Sequence, residues 1–185
     1  FDDLSVRGGA LSGDALPLDV PEGASAAALP GGFARLKECG GRYVFLKGVK
    51  SLRGDLRVEV RFKELESYAQ FAVCGAAAGP RGPMAAQMVD FESEKSAILR
   101  LLGILPYRGQ LRTARYGASR SDGIDLSEPI ELRLRLAGGS VECWFDGERA
   151  ARYTGGAAPL PSDPGRWGFR STDLTTEIQR LELEL

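Results

Sequence analysis

The segment "DFESE" places a carboxylate at every second position: Asp90, Glu92 and Glu94. In an extended chain successive side chains alternate between faces, so all three would share one face. Carboxylates paired in this way could supply the acid and the nucleophile of glycosidic bond cleavage. Retaining hydrolysis needs the two groups about 5 to 5.5 Å apart, whereas positions i and i+4 on one strand lie about 13 Å apart. Only i, i+2 partners fit, so the spacing permits Asp90 with Glu92 or Glu92 with Glu94, and Asp90 and Glu92 are the catalytic candidates. The same residues are explained without chemistry by a solvated hairpin turn over Glu92 to Lys95 ahead of "SAILRL", and this plainer reading is the stronger one.

Other catalytic arrangements are excluded by what the chain lacks. It contains no histidine, so neither a Ser-His-Asp nor a Cys-His nucleophile can be assembled. Cys39, Cys74 and Cys143 are the only soft ligands and none has C-x-x-C spacing, which argues against zinc. Cys143 alternates in phase with Val141 and Phe145, so buried thiols are expected rather than a disulfide. No cofactor is expected. Calcium is the one metal left open, because Asp122, Asp125, Asp163 and Asp173 fall in loop-like segments, although no spaced ligand motif links them.

Binding chemistry is easier to place. Trp144 in "SVECWFDGERAARY" falls out of phase with the apolar stripe Val141, Cys143, Phe145, and would sit beside Arg133 on an outer face. There it is either a stacking platform for a sugar ring or an aromatic covered by the N-terminal segment or a long loop; the covered alternative is favoured, because large aromatics are mostly buried. Tyr107, Arg108, Arg112, Arg115, Tyr116 and Arg120 form a basic stretch without an acid. It could contact an anionic glycan or nucleic acid by charge and stacking, and it equally suits an edge strand guarded by arginines. Overall, 24 basic residues against 25 acidic ones leave a net charge of -1, so no nucleic-acid partner is expected. No apolar run approaches the roughly 20 residues of a membrane span, and no membrane insertion is expected.

The elements that must position these residues are strands. Residues 1 to 40 are rich in Gly, Ala and Pro and read as short strands and loops, with a short helical candidate over Phe33 to Glu38. In "GDLRVEVRFK" Leu56, Val58, Val60 and Phe62 alternate with Arg57, Glu59, Arg61 and Lys63. Further runs follow at "SYAQFAVCGAA", "MAAQMVDFE", "AILRLLG", "LRTARY", "IELRLRLA", "SVECWF", "RAARY", "GRWGFRS" and "EIQRLELEL", with "GASRSDGIDLSEP" as a polar loop. A two-residue Gly138-Gly139 turn would set Leu132 opposite Phe145, Leu134 opposite Cys143 and Leu136 opposite Val141. On the other face it would set Arg135 opposite Glu142 as an ion pair and Arg133 opposite Trp144. Trp167 in "GRWGF" is expected in the core. Many short alternating strands without helical crossovers predict an all-β fold, an antiparallel two-sheet sandwich, formed by residues 1–185 as a single domain.

Taken together, four segments carry a family resemblance: "GDLRVEVRFK", "AAQMVD", "SVECWFDGERA" and "GRWGFRSTDLTTEIQRLELEL". Over about residues 54 to 185 they resemble the concanavalin A-like lectin/glucanase superfamily, LamG-like, and within it the 3-keto-disaccharide hydrolase family (DUF1080). The resemblance implies a jelly roll whose front sheet and rim loops bind glycans, and it makes Gln87 and Asp90, from a Glu-x-Gln-x-x-Asp strand, polar site candidates. The alternation of Asp90, Glu92 and Glu94 is similar to the acidic strand of family 16 glucanases. Two departures stand out: Ala85 replaces the Glu of that strand, and "SYAQF" replaces an expected Asn-Ser-Gly-Ile. They favour a non-catalytic lectin-like module that binds carbohydrate or an extracellular partner over a glycoside hydrolase. A third reading is a structural module that binds other protein chains, with Trp144 as interface anchor. Trp144, Arg133, Gln87, Tyr107 and Tyr116 are the ligand-binding candidates. The chain opens on "FDDLSVRGG", with neither an initiating Met nor a charged start followed by an apolar run, and the resemblance implies a secreted, periplasmic or cell-surface location.

Overall fold

Alternating apolar and charged residues dictate a backbone with one dry and one wet face, and the computed structural model shows this along Gly54–Lys63, Ile130–Ala137 and Ser140–Phe145. Gln70–Ala77 and Met84–Ser93 are instead buried on both faces over most of their length. The structure describes residues 17–37, 39, 41–66, 68–78, 83–107, 110–154 and 160–185, the side chains of 105–107, 110–114 and 116 excepted. Fourteen strands occur among the described residues. They are β1 (Leu18–Asp19), β2 (Ser25–Ala28), β3 (Ala34–Lys37), β4 (Val44–Leu46), β5 (Gly54–Lys63), β6 (Gln70–Ala77) and β7 (Met84–Ser93). The second half supplies β8 (Ser96–Tyr107), β9 (Gln110–Asp122), β10 (Ile130–Ala137), β11 (Ser140–Phe145), β12 (Glu148–Tyr153), β13 (Gly165–Thr172) and β14 (Thr175–Glu184).

They form two antiparallel seven-stranded sheets. The front sheet runs β1-β4-β13-β6-β7-β8-β9 and the back sheet β12-β11-β10-β5-β14-β3-β2. The fold is thus an all-β sandwich. The helical candidate at Phe33 to Glu38 is corrected: Ala34–Lys37 is a strand paired to both β2 and β14. Its Ala34 and Leu36 are buried and Arg35 and Lys37 exposed, a period of two that overrides helix propensity. The predicted loop after Tyr116 is shorter than expected, because β9 continues to Asp122 by pairing with β8.

The hairpin registers follow from turn chemistry. Gly138 and Gly139 both adopt positive φ (58° and 76°), as a two-residue type I′ turn requires, and the pairs Leu132–Phe145, Leu134–Cys143 and Leu136–Val141 result. Glu142, opposite Arg135, takes its salt bridge from Arg152 at 2.9 Å.

The core lies between the sheets. Phe62 meets Phe71 and Phe91 edge-on at 5.5 and 4.9 Å, and Trp167 is fully buried with its indole N–H donating to the Ser51 carbonyl at 2.9 Å. Cys39, Cys74 and Cys143 are all buried. Burial pushes the Cys143 thiol up to about 12, and Cys74 is raised in the same direction. Gln87 is one of the polar residues buried in this interior, with Ser171 and Thr176. It is fully buried, and its Nε2 donates to the Trp144 carbonyl at 2.7 Å, tying front sheet to back. Replacing Gln87 with Leu is expected to cost about 1–3 kcal/mol by leaving that carbonyl without its donor, measurable by denaturant unfolding. A variant as stable as wild type would show that the tie contributes nothing.

Candidate functional site

Odd-numbered residues of β7 (Ala85, Gln87, Val89, Phe91) face the core, so Ala86, Met88 and Asp90 face outward. Register then assembles the front face. One row runs Thr172, Gln70, Asp90, Ile98, Arg120 across β13, β6, β7, β8 and β9; the next runs Arg170, Ala72, Met88, Arg100, Ala118. Ala72, Met88 and Leu102 form a small apolar floor with Tyr43 packed against it.

Across these rows runs a chain of polar contacts. Arg170 Nη2 donates to Gln70 Oε1 at 2.9 Å, Gln70 Nε2 donates to Asp90 Oδ1 at 2.6 Å, and Arg100 Nη1 lies 3.1 Å from Asp90 Oδ2. Burial pushes the Asp90 carboxyl above its ordinary range, and Arg100 and Gln70 offset this only in part. Asp90 therefore holds a proton more readily than an exposed aspartate does.

Glu92 is not in the turn, which is formed by Glu94 and Lys95. It sits at a β-bulge between Phe91 and Ser93, where the extra residue re-aims its side chain. Glu92 Oε2 lies 3.1 Å from Arg120 Nη2 and accepts from Ser96 Oγ at 3.3 Å. Asp90 and Glu92 both line an open depression of about 550 Å³, together with Tyr68, Gln70, Ile98 and Arg100.

Tyr68 stands on the rim. It is 87% exposed and held at positive φ (67°), a conformation a bulky residue rarely adopts. Strain of this kind concentrates at sites where the side chain must project. Tyr68, Gln70 and Arg100 were not singled out from the sequence. The sequence reads "SYAQFAVCGAA" as one strand, whereas β6 begins at Gln70 and leaves Tyr68 outside it, and exposure cannot be read from residue type.

The other sequence candidates are distributed elsewhere. Gln87 lies in the core and does not reach the front face, which corrects its assignment as a ligand contact: its parity on β7 turns it inward. Trp144 and Arg133 lie on the outer face of the back sheet, opposite to Asp90. The Arg133 guanidinium lies 4.4 Å over the Trp144 ring and forks onto Asp55, with Nε donating at 2.8 Å to Oδ1. Trp144 is therefore partly buried, one ring face taken by its neighbour. A register shift at Cys143/Trp144 sets Arg149 opposite it on β12. Tyr107 and Tyr116 lie on β8 and β9, with side chains outside the described residues. The four loop aspartates stay apart. Asp122 binds Arg120 and Ser96, Asp125 caps Ser127, Asp163 accepts from the Leu52 N–H, and Asp173 occupies a turn at positive φ. Among the described residues no group of three or more potential metal ligands converges.

Comparison with solved structures places the sandwich among jelly rolls. The carbohydrate-binding module CBM66 from Bacillus subtilis is similar with a TM-score of 0.66 at 14% identity, over 91% of this chain and 96% of that one. A protein with a galectin-like fold, also from Bacillus subtilis, gives 0.58 at 11% identity over 87% and 86%. The glycoside hydrolase family 16 enzyme of the Bacteroides ovatus mixed-linkage glucan locus, in complex with product, gives 0.56 at 8% identity over 77% and 74%. Identities this low establish the fold alone. No protein-family model matches the sequence, and comparison with curated proteins yields no match.

Proposed function

We propose that this protein is a non-catalytic carbohydrate-binding module, secreted, periplasmic or at a cell surface, that holds a glycan on its front sheet. One observation carries the reading: an exposed, strained Tyr68 on the rim of a 550 Å³ depression whose floor is the Gln70–Asp90–Arg100 hydrogen-bonded chain. A tyrosine ring offers an apolar face to the C–H face of a sugar. Prealigned amide, carboxylate and guanidinium groups match ring hydroxyls, which both donate and accept. The likeness to a carbohydrate-binding module supports the same reading.

Tyr68→Ala is expected to weaken glycan affinity roughly tenfold, read by affinity electrophoresis against a polysaccharide panel. Trp144→Ala, on the opposite face, is expected to leave that affinity unchanged. If the Trp144 variant loses binding while the Tyr68 variant keeps it, the glycan lies on the back sheet and this assignment is wrong.

A hydrolase is the second reading. It is favoured by the Asp90 carboxyl, which burial raises above its ordinary range, and by a second carboxylate, Glu92, lining the same depression. Release of reducing ends from any polysaccharide of the panel, abolished in Asp90→Asn, would establish it in place of the first.

A further inference from the structure

Resting on that glycan-binding reading, we propose that the ligand is an acidic polysaccharide, bearing sulfate esters or uronate carboxylates, and that a second subsite for its charged group lies at Arg166 on the far side of the front face. Two guanidinium groups held over aromatic rings beside an open depression carry the proposal. Among the described residues, Arg100 is matched by Asp90, and Arg120 by Glu92 and Asp122. Arg115, Arg166 and Arg170, also on this sheet, have no carboxylate within salt-bridge distance among the described residues. The back sheet also carries arginines without a salt bridge among the described residues, Arg61, Arg135 and Arg149, beside its cross-strand pairs Arg133–Asp55, Arg152–Glu142 and Arg180–Glu59, so the front face is set apart by how its arginines are held. A guanidinium group without a carboxylate partner presents a local field for anions.

Arg166 and Arg170 are also held in place. The Arg166 guanidinium lies 4.2 Å over the Phe45 ring and that of Arg170 5.3 Å from the Tyr43 ring, while the two rings stack at 6.3 Å. Stacking fixes the plane of a guanidinium and leaves its N–H edge for a planar or tetrahedral oxyanion. Tyr43, Phe45, Lys47 and Arg166 line an open depression of about 390 Å³, in which Asp19 is the one acidic group. Between the two depressions, buried side-chain atoms without a hydrogen-bond partner include Tyr43 Oη, Arg100 Nε, Arg170 Nε and Thr172 Oγ1. Such atoms are rare in folded proteins; Arg61 Nε on the back sheet and Gln87 Oε1 in the core are two others. From Phe45 on β4 to Asp90 on β7 is three strand spacings, about 14 Å, with an offset of four residues, about 13 Å, along the strands. An oligosaccharide laid diagonally reaches both.

The test is affinity electrophoresis of the whole chain with dextran, laminarin and levan as neutral probes and dextran sulfate and polygalacturonate as acidic ones. Acidic polymers are expected to bind at least tenfold more tightly than neutral ones, with the preference falling as salt rises from about 0.05 to 0.5 M. Sulfate and uronate sources are distinguished by which acidic polymer is retained. Arg166→Gln is expected to lower the acidic affinity roughly tenfold and leave neutral probes unaffected. Arg57→Gln removes the same charge from the back face and is expected to change nothing. Neutral polymers bound as tightly as acidic ones, in a Tyr68-dependent way, would overturn the acidic ligand and leave the glycan-binding reading intact. Equal losses in the Arg166 and Arg57 variants would overturn the subsite. If no polysaccharide binds, both readings fall.

Discussion

Replacing Trp167 with alanine is expected to lower the stability of the fold by about 3–5 kcal/mol, the range for deleting a fully buried aromatic. Trp167 has no exposed surface and fills the space between the sheets from β13, and its N–H gives the Ser51 carbonyl a donor at 2.9 Å. Alanine would remove the packing and orphan that carbonyl together. For a chain of this length the loss corresponds to a fall of roughly 6–20 °C in Tm, read by calorimetry. Trp144→Ala, truncating a partly buried ring on the back face, is the comparison. Should the two variants unfold at the same temperature, Trp167 is not the packing centre that its burial indicates.

The second large effect is expected at Asp90, on stability and on binding. Burial raises its carboxyl, so the folded state binds a proton more tightly than the unfolded chain does. The stability contributed by this group is fully present below the unfolded value, near 4, and is lost as pH rises through the higher folded value. Glu177 works in the opposite sense: burial pushes it up, but hydrogen bonds from Lys63 and Arg35 carry it below its ordinary value, so its stabilisation disappears as pH falls. The informative quantity is therefore the difference between wild type and Asp90→Asn across the acid range. The variant is expected to lose the Asp90 component of the pH dependence and keep the Glu177 component. Under the proposed function the same substitution removes the charged acceptor from the front face and leaves Arg100 uncompensated, so glycan affinity should drop by roughly 10- to 100-fold. Identical stability-pH curves would refute the linkage, and unchanged binding would move the ligand away from Asp90.

Where pairing is local, sequence and structure agree closely. β5 begins and ends where its alternation does, and the β10–β11 register follows from two glycines able to adopt positive φ. Where an element is held by partners far along the chain, local pattern was insufficient. β3 has only four residues and is a strand because β14, about 140 residues later, supplies one edge. The distal half of β9 is polar and looks like a loop, yet β8 continues to pair with it.

The site divides in the same way. The amino-acid sequence by itself determined that histidine chemistry is excluded, that the fold would be an antiparallel sandwich, and that Trp144 and Arg133 would be neighbours. All of these depend on residue type or on period-2 spacing, which local sterics impose. Only the tertiary structure decided which sheet each candidate occupies and which side of that sheet is packed. Gln87 and Asp90 are three residues apart on one strand, so the pleat sends the amide into the core and the carboxylate to the front face. Tyr68, Gln70, Asp90 and Arg100 meet because strand order places β6, β7 and β8 side by side, and Trp144 is separated from them by the thickness of the sandwich. Strand order and sheet stacking are set by contacts between distant segments, and no local pattern encodes them.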